Sequence, residues 1–210
     1  ATAFSGNISS WNVSGVSGMS FMFYGASNFN SNITGWQVGN VVTMANMFAN
    51  TSMFNQNISS WDVSKVQNMS GMFSGANAFN QNINGWTTGM VSDFSDMFSF
   101  NSAFNSPLNS WDVSGATDMS NMFWQATVFN QDISGWVVDG VSDFTNMFSN
   151  ATDFDQNLGS WDIGSATTMS NMLNNSGLSS TNYDATLIGW EDDNGGSETI
   201  PTGITLGATG

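Results

Sequence analysis

The sequence of 210 residues contains no cysteine and no histidine, and Lys65 is its only basic residue. These absences exclude disulfides, zinc–thiolate sites and thiol chemistry, and they remove the side chains that most often act as general base or nucleophile. They also exclude binding to nucleic acid or to an anionic membrane surface, because both need clustered lysine and arginine. No apolar run approaches the length of about 18 residues that spans a membrane. We therefore expect no catalytic residue, no cofactor, no metal site in the repeats and no insertion into a membrane.

Charged residues are scarce and nearly all acidic, since 16 Asp and Glu against one Lys give a formal net charge of −15. Hydrophobic residues make up 40% and aromatic residues 13% of the chain, which is enough for a folded interior. The acidity favours solubility in a chain with so few charges. Affinity for cations or for a basic partner is the alternative, and the composition leaves it open.

A phrase of 25 residues repeats through most of the chain without an insertion. Three residue types mark it: tryptophan at 11, 36, 61, 86, 111, 136 and 161, phenylalanine at 4, 29, 54, 79, 104, 129 and 154, and methionine at 22, 47, 72, 97, 122, 147 and 172. A fixed period in the range of about 20–50 residues indicates stacked structural units rather than one central core. We therefore predict a solenoid of seven turns over residues 1–176.

One phrase, beginning at Asn57, illustrates the secondary structure that the pattern predicts. Trp61 and Val63 lie two residues apart and would share one face of a short strand. From residue 66 to residue 76 the apolar residues follow a helical spacing, and Ser64 suits the N-cap of that helix. The predicted fold class is an α/β solenoid: a right-handed, leucine-rich-repeat-like stack with one short parallel strand and one short helix per 25-residue turn.

The repeated side chains form columns when successive turns are stacked. We expect tryptophan, methionine and phenylalanine to line the interior, and we interpret the methionine column as core packing rather than as a metal site. An asparagine column follows the phenylalanines, at 30, 55, 80, 105 and 130, and Asp155 continues it. This column is predicted to be a structural ladder, because side-chain amides both donate to and accept from the backbone of stacked loops.

The polar residues directly after the tryptophans are the candidate binding surface, because they would point outward from the predicted strand. Odd phrases read Ser-Trp-Asx and even phrases read Gly-Trp-x, which suggests a 50-residue duplication unit and places the aspartates two turns, about 10 Å, apart. That spacing argues against a shared calcium site, whereas a flat polar face with small neighbours suits a glycan or another protein. The candidate ligand-binding residues are Asn12, Gln37, Asp62, Thr87, Asp112 and Asp162.

The pattern changes after Asn175, so that residues 177–210 are predicted to be an atypical C-terminal capping segment. Thr186 stands where the next tryptophan is due. The capping helix is expected to close the open end of the stack with Leu178, Leu187, Ile188 and Trp190. The acidic stretch at residues 191–194 is either a calcium-binding loop or a solvated turn, and the sequence leaves this open.

The segment at residues 54–73, FNQNISSWDVSKVQNMSGMF, resembles the repeat of the BspA-like surface-protein family, in which repeats of about 25 residues are related to leucine-rich repeats. The resemblance covers residues 4–176, and NYDATLIGW at residues 182–190 is similar to the segment that closes such arrays in marine Bacteroidetes proteins. It implies an exported or cell-surface bacterial protein, as in mycoplasma members, with flanking domains in a larger parent chain. The resemblance favours a non-catalytic adhesion module that binds a protein or glycan at a surface. A structural spacer or building block of a surface fibre is the alternative.

Overall fold

The computed structural model describes residues 4–192, and it arranges them as a stack of turns followed by one helix. Single parallel bridges join successive turns, and strands longer than one bridge do not occur within residues 4–192. The bridges lie 25 residues apart, at Gly18, Thr43, Asn68, Asp93, Asp118, Asp143 and Thr168. The repeat solenoid predicted from the period is therefore confirmed, whereas its right-handedness stays a prediction.

The short helix predicted for each repeat is wrong, because residues 4–179 contain no helix. In the third turn, residues 69–76 form a chain of overlapping β-turns instead. Met72 and Ala76 donate their backbone N–H groups to the carbonyls three residues earlier, those of Met69 and Phe73, each at 3.1 Å. An α-helix bonds residues four apart, so this apolar spacing is satisfied here by a different local structure.

Alternate N–H groups of the same segment join one turn to the next. Gly71 donates to the carbonyl of Ser95 at 2.8 Å, and Phe73 donates to that of Met97 at 2.9 Å. The backbone is thus bonded partly within its own turn and partly to the neighbouring turn. A helix excludes this arrangement, because its N–H groups are directed along its own axis. Contacts between turns therefore replace the local bonds that a helix would have made.

Each chain of β-turns holds two residues in the left-handed region of φ. In the third turn they are Gly71 and Gly75, with φ of 60° and 63°. Eleven non-glycine residues and three glycines occupy these positions in all: Phe21, Gly25, Asn46, Asn50, Gly71, Gly75, Asp96, Phe100, Asn121, Gln125, Asn146, Asn150, Asn171 and Asn175. Glycine and asparagine tolerate positive φ best, which explains why they dominate two columns of the sequence.

The strand predicted at Trp61 and Val63 is also wrong. Both side chains are buried as expected, but the residues belong to two further β-turns. The N–H of Trp61 donates to Ile58 at 3.1 Å, and that of Val66 donates to Val63 at 2.9 Å. The parallel bridge lies further along the turn, at Asn68. A tight turn can bury two residues that are two positions apart, so it mimics the alternation of a strand.

Stacked aromatic rings build the interior. Trp36 and Trp61 stack with ring centroids 6.4 Å apart, and the Nε1 of Trp61 donates to the carbonyl of Ile33 at 3.2 Å. Phe48 and Phe54 stack at 4.0 Å within one turn. The indole hydrogen bond recurs in every described turn from the second onward, at Trp36, Trp61, Trp86, Trp111, Trp136 and Trp161. Each tryptophan therefore fills the core and satisfies a carbonyl of the preceding turn.

The first turn is an exception to the predicted interior columns. Trp11 is 51% exposed, whereas Trp36 in the next turn is 3% exposed. Met22 is likewise exposed, although Met47 is fully buried. The expectation that these columns line the interior is therefore wrong at Trp11 and Met22. Among the described residues, no further turn packs on this side of them.

The asparagine column forms the predicted ladder. The Oδ1 of Asn30 accepts the backbone N–H of Asn55 at 3.0 Å and the Nε2 of Gln56 at 2.9 Å. The backbone contact repeats at Asn80, Asn105, Asn130 and Asp155. Every buried side-chain nitrogen and oxygen in the described part of the chain has a hydrogen-bond partner. The polar groups of the stacked loops are thus satisfied from turn to turn.

Helix α1, Ser180–Asp192, covers the last turn. Its Trp190 is buried and donates Nε1 to the carbonyl of Leu158 at 2.9 Å, the kind of bond that Trp161 makes to Ile133. The Oγ1 of Thr186 accepts the backbone N–H of Leu158 at 3.0 Å. The repeat lacks a tryptophan at position 186, and the helix supplies the indole four residues later, at Trp190.

The four residues predicted to close the stack differ in their burial. Trp190 is buried, and Leu178 and Leu187 are partly buried against the core. Ile188 is exposed, so its expected role in closing the stack is wrong, because the buried face of the helix is the one that carries residues 187 and 190. The structure describes no residue after 192, so the candidate calcium loop at 191–194 lies largely outside the described residues, and the extent of the capping segment to residue 210 stays a prediction.

Candidate binding surface

The candidate binding residues form one surface column with at most one member in each turn, which we call the register column. Its members are Asn12, Gln37, Asp62, Thr87, Asp112 and Asp162. All are exposed except Asp162, which is partly exposed, and Val137 fills the same position in the sixth turn. The structure places them at equivalent positions, but on β-turns rather than on the predicted strand.

Local hydrogen bonds hold the aspartates of the register column in one orientation. The Oδ1 of Asp62 accepts the backbone N–H of Ser64 at 3.1 Å and its Oγ at 2.6 Å. Asp112 makes the same pair of bonds with Ser114, at 3.1 and 2.6 Å. This is an Asx turn, in which the side chain replaces a backbone acceptor two residues before the donor. One carboxylate oxygen is thereby engaged, and the other is left for contacts outside the turn.

The same bonds keep these carboxylates ionised. The hydroxyl of Ser64, and after it the N–H of Ser64, lowers the pKa of Asp62 below its ordinary value. The hydroxyl and then the N–H of Ser114 lower the pKa of Asp112 in the same way. Both side chains therefore carry a negative charge at neutral pH and into the acid range.

Two glycines of the even turns pack against aspartates of the following odd turns. A Cβ placed on Gly39 would lie 2.9 Å from the Oδ2 of Asp62, and one placed on Gly89 would lie 2.5 Å from the Oδ2 of Asp112. Each glycine thus makes room for the carboxylate of the following turn. In the sixth turn the equivalent residue is Asp139, so the arrangement is not repeated beside Asp162.

A second group of carboxylates lies at the bridges between turns four to six. The Oδ1 atoms of Asp93, Asp118 and Asp143 accept backbone N–H groups two residues later, at 3.0, 2.9 and 2.8 Å. Burial raises the pKa of the nearby Asp96, and the charges of Asp118 and Asp93 add to this rise. Within residues 4–192, no group of three or more His, Cys, Asp or Glu side chains is placed to hold a metal ion. These aspartates thus act as local caps of the β-turns.

Two aromatic pairs at the surface were not predicted from the sequence. Phe100 and Trp124 contact each other edge to face, with ring centroids 4.6 Å apart. Phe21 and Tyr24 are tilted at 5.7 Å in the first turn, beside a mostly apolar cleft of about 290 Å³. The signal was present in the sequence, because these aromatic residues interrupt columns that hold small or polar residues elsewhere. Sequence reasoning missed it because the predicted helix assigned no outward role to these positions.

Comparison with models of protein families assigns the chain to one family. The model of the family described as "Mycoplasma protein of unknown function, DUF285" matches residues 1–105 and residues 81–186. The chain therefore belongs to the DUF285 family, as the resemblance of its repeats to BspA-like proteins predicted. No helix in the described part of the chain is long and apolar enough to cross a membrane.

Among solved structures, the chain is similar to a leucine-rich repeat protein from Bacteroides ovatus. The two share 12% sequence identity with a TM-score of 0.43, over 78% of this chain and 45% of that protein. The chain thus spans less than half the length of that protein. None of the curated proteins searched matches the sequence.

Proposed function

We propose that this member of the DUF285 family is a non-catalytic module of an extracellular or cell-surface protein, and that it attaches to a protein or glycan through the register column. The observation that carries the proposal is the row of exposed polar side chains repeated along the stack, among which Asp62 and Asp112 are oriented by their own Asx turns. From the third turn to the seventh, the row presents a carboxylate at every second turn, at residues 62, 112 and 162. It therefore suits a partner that is itself extended or repetitive.

The scaffold behind the column supports the proposal. Interior rings stack from turn to turn, and the asparagine ladder bonds each loop to the next at close to 3.0 Å. An ordered surface loses little conformational entropy when a partner binds. Attachment through oriented side chains is thus favoured over attachment through a mobile loop.

Composition supports a role without catalysis and without nucleic acid. The chain has no histidine or cysteine, and its single lysine, Lys65, donates Nζ to the Oδ1 of Asn40 at 2.8 Å. The usual bases and nucleophiles are therefore missing, and no cofactor or metal is proposed. The net charge of −15 opposes binding to nucleic acid and to anionic membranes, so the proposed partners are a protein or a neutral glycan.

The second candidate function is a stiff spacer or building block of a surface fibre. The specific observation in its favour is the uninterrupted period, which joins all turns into one stack between Gly18 and Thr168. A stack of this kind transmits force along its axis and holds flanking domains of a larger parent chain apart. In this role the register column would have no partner of its own.

The test uses a triple variant of the register column. Asp62→Asn, Asp112→Asn and Asp162→Asn together should preserve the fold, because Asn12 makes the same Asx turn with Ser14 in the first turn. Attachment of the purified protein to arrays of glycans and of extracellular proteins should fall by roughly tenfold or more if charged side chains of the column are central to the contact. The triple change to lysine should reduce attachment further.

A matched control removes three carboxylates outside the column, through Asp132→Asn, Asp153→Asn and Asp184→Asn. These residues are also exposed. Because both variants remove three carboxylates, they change the net charge by the same amount. The control should attach like the unmodified protein. If the control and the column variant lose attachment equally, the effect belongs to net charge. If neither loses attachment, the register column has no such role and the spacer function is favoured.

A further inference from the structure

The aromatic pair Phe100 and Trp124 stands at positions where aromatic residues are unfavourable. Phe100 has φ of 56°, in the left-handed region that asparagine and glycine occupy in most other turns. A bulky side chain is strained there, because its Cβ approaches the neighbouring carbonyl oxygen. Backbone strain of this kind is retained in proteins mainly where it serves a function.

Neither the backbone nor the core requires these two aromatic residues. Phe100 donates its N–H to Trp124 at 2.7 Å, and Asn150 makes the equivalent bond two turns later at 2.8 Å. The N–H of Trp124 donates to Asn121 at 3.0 Å, as the N–H of Ser149 does to the residue three positions earlier. Small or polar residues therefore build the same turns elsewhere in the stack.

Burial does not compensate the strain either. Phe100 is 43% exposed, and Trp124 is partly exposed. The position equivalent to Phe100 in the preceding turn is Gly75, which has no side chain to cover the ring. Two aromatic rings at 61° to each other thus form an open corner on the surface.

Polar side chains flank this corner. Gln125 follows Trp124 directly, is partly exposed, and its side-chain amide makes no hydrogen bond within the described residues. Asp96 lies in the turn of Phe100, and Asn121 lies in the turn of Trp124. The Oδ1 of Asn121 accepts the Nδ2 of Asn146 at 3.1 Å. Gln125 is also the residue equivalent to Phe100 in the next turn, so a side-chain amide adjoins both aromatic residues, and Asp96 and Asn121 supply further polar groups in the same two turns.

We propose that Phe100 and Trp124 form a binding site for a pyranose ring of a neutral polysaccharide. The C–H face of a sugar ring carries partial positive charge and packs on the negative face of an aromatic ring. The hydroxyl groups at the ring edge then bond to the amide of Gln125 and to the other polar side chains of the same two turns. A neutral glycan fits best, because Asp96 and the net charge of −15 repel acidic sugars.

A protein partner fits this site less well. Specific protein interfaces bury about 800 Å² on each side, around a continuous apolar centre. Here two aromatic side chains are surrounded by columns of asparagine, glycine and serine. Two aromatic side chains offer less apolar surface than such an interface needs, and they suit a ligand of one or two sugar rings. The site is separate from the register column, so the inference goes beyond the proposed function and does not depend on it.

The test measures binding of the full chain to neutral hexasaccharides of glucose, mannose and xylose by isothermal titration calorimetry. Two variants use residues found at equivalent positions: Trp124→Ser, as at Ser149, and Phe100→Asn, as at Asn150. Each should weaken binding by roughly tenfold or more, as for a central aromatic residue of a small site. Phe100→Asn should also raise the melting temperature, because asparagine tolerates positive φ. A role in folding alone would lower it.

The control is Met90→Asn, which removes another exposed apolar side chain and introduces the residue found at Asn40. It should bind the hexasaccharide like the unmodified chain. The proposal is overturned if the unmodified chain binds none of the hexasaccharides, if both aromatic variants bind normally, or if Phe100→Asn lowers the melting temperature. If the triple aspartate variant loses the sugar while Trp124→Ser retains it, the glycan binds at the register column instead, and only this inference fails.

Discussion

The first and the last described turns of the solenoid differ in how their tryptophans are covered. In the first turn Trp11 is half exposed, whereas Trp161 in the last turn is 1% exposed. The difference comes from α1, which places Trp190 on the last turn and supplies the missing indole hydrogen bond. Burial in a solenoid is therefore shared between neighbouring turns. The contribution of one residue depends on whether a turn lies on both sides of it.

The largest expected effect is the difference in stability cost between removing an interior tryptophan and removing the tryptophan of the first turn. Trp111→Ala should lower the free energy of unfolding by about 3–5 kcal/mol, because it leaves a cavity between two turns and removes one of the two hydrogen bonds that the carbonyl of Ile83 accepts. Trp11→Ala should cost only about 1 kcal/mol, since that side chain is half exposed. Urea unfolding followed by circular dichroism measures both. Equal costs would show that burial by neighbouring turns does not govern stability.

The next effect concerns the cap. Trp190→Ala should cost about 2–4 kcal/mol, because it exposes the last turn and breaks the bond to Leu158. Ile188→Ala in the same helix is the control, and it should change the stability by no more than about 0.5 kcal/mol, since Ile188 is exposed. Thermal unfolding of the two variants compares them. If Ile188→Ala is as costly as Trp190→Ala, the helix does not pack as the structure describes.

The pH dependence should also differ between the interior and the capped end. In the interior turns the ladder consists of asparagines, which do not titrate, but its last residue is Asp155. Its Oδ1 accepts the backbone N–H of Ser179 at 2.8 Å, and this bond is the main cause that lowers the pKa of Asp155 below 3.8. A lowered folded-state pKa stabilises the fold above pH 3.8, and this contribution is lost as the pH falls through the lowered value.

Acid should therefore loosen α1 more than the interior turns, where Asp62 and Asp112 also have lowered pKa values but bond only to the serine two residues later in the same turn. Hydrogen exchange of residues 180–190, corrected for intrinsic rates, should accelerate at about pH 2.5 relative to pH 7 more than exchange of the interior turns does. Asp155→Asn keeps the acceptor oxygen and removes the titration, so it should remove most of this difference. An unchanged acid response in Asp155→Asn would exclude Asp155 as its cause.

The smallest expected effect on stability concerns Asp96, an aspartate where the neighbouring turns have glycine or asparagine. Burial, together with the charges of Asp118 and Asp93, raises the pKa of Asp96, so its ionised form opposes folding above that pKa and the penalty disappears as the pH falls through it. Asp96→Asn installs the residue found at 46 and 146. It should stabilise the protein by less than about 1 kcal/mol at pH 7, and by less in acid. Melting temperatures at two pH values test this, and a lower stability at pH 7 would contradict it.

Much of the architecture was predictable because the repeat has no insertion. The 25-residue period placed each tryptophan over the next, and the asparagine ladder from Asn30 to Asp155 followed from the need to satisfy stacked loops. The cap was predictable in part: Trp190 was identified, but Ile188 was assigned to the wrong face. The register column was predicted to lie on the surface, and the structure places it there.

The errors share one cause. Residues 69–76 have the apolar spacing of a helix, and residues 61–63 have that of a strand, yet both segments are β-turns. Side-chain periodicity reports which residues face inward, and several backbone conformations give the same answer. The columns of asparagine and glycine at positive φ were the discriminating signal, because a right-handed helix has negative φ throughout.

The sequence by itself determined the number of turns, their register and, apart from Trp11 and Met22 in the first turn, the repeated apolar residues that face the interior, because a fixed period leaves only one way to align stacked columns. The tertiary structure alone decided the backbone of each turn. Gly71 donates to Ser95, 24 residues away, rather than to a residue of its own turn. Such bonds do not exist until two turns are in contact, so local sequence patterns do not contain them. The outward position of Phe100 and Trp124 follows from this backbone, and so does the surface that any partner of the protein meets.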